Sequence, residues 1–136
     1  MARPAADAPM SPHMILAVAL GGAIGSVARY LVGIASGKLF GMNFPWGTLI
    51  INITGSFLIG AFIGLFATRW DLPQTVRVFL TVGFCGGYTT FSTFSLDAFY
   101  LIERGELAAS TVYMIASVVL SVAALVAAIH LVRAAT

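Results

Sequence analysis

Four long apolar runs decide what this chain can fold into. Charges and turn residues cut the sequence into Met14 to Ile34, Trp46 to Thr68, Val78 to Leu96 reaching toward Tyr100, and Leu107 to Val132. Each run is near the ~20 residues needed to cross ~30 Å of hydrocarbon. The chain is 60% hydrophobic and 9% charged, against about 25% charged in an average soluble domain. Lipid offers backbone groups no water, so runs of this length are expected as helices; barrel strands would be ~10 residues long and strictly alternating. The reading is an all-α integral membrane protein of four transmembrane helices in the cell (inner or plasma) membrane. A flexible tail is expected over residues 1–12 and one transmembrane domain over 13–136, with spans of roughly 13–36, 46–69, 74–102 and 106–133. No basic stretch directly precedes the first run, which also continues past any small-residue cleavage site, so a cleaved signal peptide is not expected.

Several function classes drop out on residue content. The single cysteine, Cys85, excludes an intramolecular disulfide and a cysteine-based metal cluster, and reads as a small buried apolar side chain. His13 and His130 stand near span ends without a partner at ligand spacing. A formal charge of +2 is too small and scattered to suggest a nucleic-acid partner. No nucleophile and base occur at usable spacing in the spans, so an enzyme is not expected.

Basic residues ordinarily decide which side of a membrane protein faces the cytoplasm. Here Arg3, Arg69, Arg77 and Arg133 fall on the amino-terminal side, with Lys38, Arg104 and Arg29 on the other. So weak a bias allows insertion both ways, and two opposed copies can pair about an axis in the membrane plane. The expectation is a dual-topology antiparallel homodimer. Small residues repeating at four, Gly21 with Gly25, Gly22 with Ser26, and Ser56 with Gly60 and Gly64, predict close helix contacts.

Polar residues within the spans are functional candidates, because burying them in lipid is costly. Arg29 comes ~16 residues into the first span, ~24 Å along its helix, and reads either as an interfacial anchor or as an attractor of anions at a vestibule. Asn52 shares a face with Thr48 and Ser56 at i−4 and i+4. Its amide must find either another helix or a substrate in a wet pathway. In GFCGGYTTFSTFS, Gly83 to Ser95, the tandem glycines Gly86 and Gly87 each disfavour helix by ~1 kcal/mol, and Thr89 and Thr90 compete for backbone groups. A break of the third helix near mid-membrane is therefore predicted, with carbonyls freed that can bind a cation. After it, Phe91 and Phe94 share a face, and Ser92 and Ser95 form a neighbouring hydroxyl stripe. Such phenylalanines serve either as packing or as positive ring edges turned toward an anion. Tyr113, Ser117 and Ser121 repeat at steps of four in the last span, hydroxyls that can bond to preceding carbonyls or form a donor track. Neutral donors without fixed charge favour an anion passing through over one held.

GGYTTFSTFS, WGTLIINITGSFLIG and GGAIGSVARY together closely resemble the Fluc (CrcB) fluoride channels of microorganisms, over essentially the whole chain from about Ile15. The resemblance implies a fluoride-selective passive channel relieving fluoride toxicity, an antiparallel homodimer with two pores, and a structural central sodium ion held at the dimer interface by backbone carbonyls. By motif position, Phe91 and Phe94 resemble the pore-lining phenylalanine box, Asn52 the fluoride-binding asparagine, and Gly86 and Thr89 the carbonyl donors to sodium. Tyr113, Ser117 and Ser121 resemble the polar track, with Ser92, Thr93 and Thr48 beside the pore and Arg29 at the vestibule. Where the family commonly has Phe or Leu this chain has Tyr88, and the resemblance assigns its phenol no role.

Two other readings carry weight. A small proton-coupled multidrug exporter also has four spans, but needs a membrane-embedded carboxylate, and of Asp7, Asp71, Asp97, Glu103 and Glu106 only Asp97 approaches a span interior. A non-transporting membrane scaffold would fit the labels camphor resistance and chromosome condensation, yet the chain offers no basic surface for DNA.

Overall fold

A computed structural model describes residues 10–136, so the expected tail lies largely outside the described residues. All regular structure among them is helical. Helix α1, Pro12–Phe40, starts where Ser11 accepts the Met14 N–H at 3.2 Å and Pro12 occupies the first turn, a position where a missing N–H costs nothing. It ends at Gly41, whose φ of 82° suits a residue without Cβ. Helix α2 is Trp46–Thr68. The third apolar run is divided among α3, Gln74–Val78, a π-helix, Phe79–Cys85, α4, Gly86–Tyr88, and α5, Phe91–Glu103. A turn with Gly105 at φ 77° leads into α6, Leu107–Ala135. Among the described residues three helices, α1, α2 and α6, are long and apolar enough to cross a membrane; the run expected as the fourth span is divided among the shorter segments between Gln74 and Glu103.

The helical path is interrupted at Thr89 and Thr90, which are extended at φ/ψ of −81°/158° and −152°/118°. Gly86 and Gly87, expected at the interruption, instead lie within α4. Their smallness serves packing: a Cβ on Gly87 would stand 2.5 Å from the Gly22 carbonyl oxygen. What starts the next helix is Thr90, whose Oγ1 accepts the Thr93 N–H at 3.2 Å, an N-cap of the usual chemistry.

Two of the three predicted small-residue rows mediate helix contacts within one chain through their glycines. Gly21 and Gly25 seat α1 against the π-helix: a Cβ on Gly21 would lie 2.5 Å from the Phe79 carbonyl oxygen, and one on Gly25 would collide with that of Phe84. Gly60 and Gly64 seat α2 against α6 at Leu125, Ala128 and Val132. Toward one end, Leu49, Phe94, Ala98, Leu101 and Tyr113 form a buried cluster, beside which Ser110 donates to the Ala98 carbonyl at 3.0 Å. Arg104 closes this end, donating to the Asn43 carbonyl at 2.5 Å and to Glu106 at 2.7 Å. Arg77 marks the other end, over the Phe66 ring at 5.5 Å and 3.9 Å from Asp71.

Because the neighbour of Gly25 is backbone, Gly25→Ala is expected to lower stability by about 1–3 kcal/mol. Gly33→Ala, within the same helix and with nothing within 4 Å, should leave it unchanged or raise it by up to ~1 kcal/mol. Thermal unfolding of the purified protein in detergent compares the two, and equal midpoints would remove the glycine contact as a determinant of the fold.

Candidate functional site

The interrupted helix leaves the Gly86 and Gly87 carbonyls and both peptide groups of Thr90 without helical partners, and α2 supplies partners for those of Thr90. Asn52 accepts the Thr90 N–H on Oδ1 at 2.8 Å and donates through Nδ2 to the Thr90 carbonyl at 3.0 Å, a side-chain amide standing in for a peptide. Of the two openings left to Asn52, inter-helix glue is therefore occupied. One Nδ2 hydrogen is still uncommitted, and the residue borders a groove. Gly87 is met from α1: its carbonyl receives Arg29 Nε at 3.2 Å and Ser26 Oγ at 3.5 Å. Arg29 thus turns inward onto the end of α4, where a cation is favoured by the unpaired carbonyls.

The groove of about 680 Å³ runs along the face of the interruption. Its walls are mainly apolar, with Asn52, Thr89, Phe91, Phe94, Ser117 and Ser121 among its lining. The two phenylalanine rings stand 5.3 Å apart at 52°. They differ in setting: Phe94 is 8% exposed and Phe91 76%. The Phe94 ring also lies 5.3 Å from Tyr113, which fixes it against α6.

Ser117 and Ser121 have side-chain oxygens that are buried and have no hydrogen-bond partner. Back-bonding to the preceding turn, one of the two readings of this row, does occur on α6 at Thr111, whose Oγ1 donates to the Leu107 carbonyl at 2.9 Å. It does not occur at Ser117 or Ser121. An unmet buried hydroxyl costs ~1–3 kcal/mol, so these two groups stand out among the side chains of α6 as donors that no group among the described residues satisfies.

A second cavity, of about 760 Å³, opens at the end closed by Arg104. Arg29, Lys38, Thr48, Thr93 and Asp97 line it, and Thr90 borders both cavities. Tyr113, fully buried, donates its O–H to Asp97 Oδ2 at 3.0 Å, so of the predicted α6 track it alone is engaged, and it lines neither cavity. Ser92 is exposed and stands 3.3 Å from the Thr90 hydroxyl, also outside both linings. The structure therefore gathers Asn52, Phe91, Phe94, Ser117 and Ser121 in one groove, and Arg29, Thr48 and Thr93 in the adjoining cavity. Sequence reasoning missed Thr90 as the residue on the boundary and Asp97 as the partner of Tyr113. The S/T-before-helix pattern at Thr90 was an available signal; the contact of Asp97 with a residue 16 positions away was not.

For a cation, the donor set is peptide oxygen. No group of three His, Cys, Asp or Glu side chains that could hold a metal occurs among the described residues. The Gly86 carbonyl cannot take its usual helical partner, because the Thr90 N–H goes to Asn52. The Thr93 N–H is likewise taken by the Thr90 hydroxyl, at the place where it would have served Thr89. Gly86 and Thr89 thus present oxygens of the kind a hard monovalent cation takes, and they fit such an ion.

An all-helical, multi-pass membrane protein with a neutral-donor groove defines the class. Residues 16–129 match the family described as CrcB-like protein, Camphor Resistance (CrcB). The chain is 76% identical over 119 residues to the protein named Fluoride-specific ion channel FluC 1 of Nitrobacter hamburgensis, covering 88% of this chain and 94% of that one. It is 73% identical over the same length to the Fluoride-specific ion channel FluC of Nitrobacter winogradskyi, with the same coverage. To the protein of that name in Agrobacterium fabrum it is 56% identical over 119 residues, 88% of this chain and 95% of that one. The chain belongs to the CrcB family, and it is a multi-pass protein of the cell membrane.

Removing an unpartnered buried hydroxyl relieves a desolvation cost, so Ser117→Ala and Ser121→Ala are expected to leave the thermal midpoint unchanged or raise it, by up to ~1 kcal/mol of stability. A clear loss of stability in either would show that the hydroxyl has a protein partner.

Proposed function

We propose that this protein is a fluoride-selective passive channel that lets cytoplasmic fluoride leave the cell. The observation that carries the reading is that Ser117 and Ser121, whose hydroxyls are buried and unpartnered, belong to the lining of the same groove as Asn52 and the two phenylalanines. The names of the relatives support it independently. Fluoride is small and strongly hydrated, so a pore must replace its water with amide, hydroxyl and ring-edge donors, yet bind weakly enough to release it. Asn52 contributes its free amide hydrogen, Ser117 and Ser121 their O–H groups, and Phe91 and Phe94 positive ring edges. No side chain among these titrates to a positive charge, which keeps the anion mobile. Arg29 and Lys38 in the adjoining cavity raise the local anion concentration before entry. The cell's negative-inside potential drives export without coupling to another ion.

The functional unit we propose is an antiparallel homodimer in lipid, with two pores and a third span interrupted near mid-membrane. A second copy accounts for the exposure of Phe91 and Gly86 in the single chain, since it would close the open side of the groove. A central sodium ion would be held by the Gly86 and Thr89 carbonyls and would supply a fixed positive charge without a titratable group. Arg29, already on the Gly87 carbonyl, keeps that neighbouring oxygen out of the set.

Fluoride efflux from liposomes loaded with fluoride, read by electrode beside a matched chloride assay, tests the reading. Fast fluoride efflux with negligible chloride is expected. Phe91→Ile and Phe94→Ile should each lower it about tenfold or more, equivalent to ~1.4 kcal/mol on the barrier, because aliphatic carbon has no comparable positive edge. Asn52→Asp should impede the anion by placing negative charge in its path. Absence of fluoride efflux from folded dimers would overturn the channel reading, and full flux in both phenylalanine variants would remove the ring-edge mechanism.

A further inference from the structure

Tyr88 is the last residue of α4 and stands immediately before the interruption. It is 7% exposed, its ring stacked on Phe84 at 6.0 Å with planes 6° apart. The phenol oxygen lies 2.9 Å from Thr54 Oγ1 on α2. Thr54 Oγ1 is also 2.7 Å from the Ile50 carbonyl, which takes its only hydrogen, so Tyr88 is the donor and the chain runs Tyr88 O–H to Thr54 to Ile50.

This bond places a second anchor on the same short stretch. Residue 90 is clamped by Asn52, residue 88 by Thr54, and residue 89 lies between them against Gly55, where any Cβ would collide with the Thr89 methyl and come within 3.0 Å of the Tyr88 ring. Three consecutive residues thus take their position from one turn of α2. Without the phenol, the stretch would keep the Asn52 clamp, the α1 contacts of Gly87 and the bonds of Thr89 N–H and Oγ1 to the Cys85 carbonyl, but would lose its side-chain hydrogen bond to α2 at residue 88.

We propose that Tyr88 is a positioning residue: its hydrogen bond to Thr54 sets the Gly86 and Thr89 carbonyl oxygens for a monovalent hard cation. The inference rests on the sodium reading above. Packing alone would need only the ring; the hydroxyl, donated to a neighbouring helix, is what Phe or Leu could not supply.

The test uses the full-length protein in detergent, without fluoride, with sodium exchanged for a bulky organic cation, and follows the thermal midpoint as sodium chloride is added. A cation that binds the folded state raises the midpoint by mass action. Tyr88→Phe and Thr54→Val should each raise the sodium concentration for half of that rise about two- to tenfold, the range for one net hydrogen bond. Thr54→Ser should match the unsubstituted protein, and the double variant should be no worse than the poorer single one, because both remove the same bond. An unchanged sodium midpoint in Tyr88→Phe, even with lower stability in sodium-free medium, overturns the positioning role while leaving the sodium reading intact. If the unsubstituted protein shows no sodium response, the sodium reading falls and this inference with it, a result seen before any substitution is made.

Discussion

The pairing of Asn52 with both backbone groups of Thr90 is the interaction on which the rest of the site depends. Peptide groups among apolar neighbours cost several kcal/mol when unmet, so a helix cannot simply stop inside such a protein. Asn52 lets it stop by imitating the missing peptide with one amide. Two consequences follow directly. Thr90 is freed to cap α5, which aims Phe91 and Phe94 at the groove, and the Gly86 carbonyl is left without its ordinary partner.

That arrangement needs helices closer together than side chains allow. Gly21 and Gly25 admit the π-helix to the surface of α1, Gly22 faces Gly87, and Gly55 admits Thr89 and Tyr88 to α2. The small residues therefore fix the register in which Asn52 meets Thr90 and Arg29 meets Gly87. Lipid provides no hydrophobic drive between helices, so dispersion and hydrogen bonding at such short range supply the association. Structure and site are one set of contacts here, which is why residues that touch no ion can still govern where the donors stand.

The long helices α1, α2 and α6 were legible because apolar length alone specifies them. The third run was legible as apolar but not in its division. Tandem glycine reads locally as a helix breaker, whereas in the fold Gly86 and Gly87 are helical and Gly87 is small because Gly22 lies opposite. Propensity sees the first property and is blind to the second. The π-helix left no local mark either, since it sits at a surface that only exists once α1 is in place. The row Ser117 and Ser121 was visible as spacing; that neither oxygen bonds back to its own helix, unlike Thr111, was decided by packing. Asn52 with Thr90 and Tyr113 with Asp97 join positions 38 and 16 residues apart, separations at which one sequence carries no pairing signal.

On the channel reading, the distribution of charge explains why the donors of the groove are neutral. A guanidinium facing the groove would bind an anion too well to release it, and a carboxylate would repel it. Both charges occur close by and both are directed elsewhere: Arg29 Nε onto the Gly87 carbonyl and Asp97 onto the Tyr113 hydroxyl. Both border the end cavity and neither lines the groove. An ion leaving that cavity past Thr90 would therefore exchange charged surroundings for dipoles. Attraction is thus separated in space from conduction, and the residue at the boundary is the one that Asn52 holds in place.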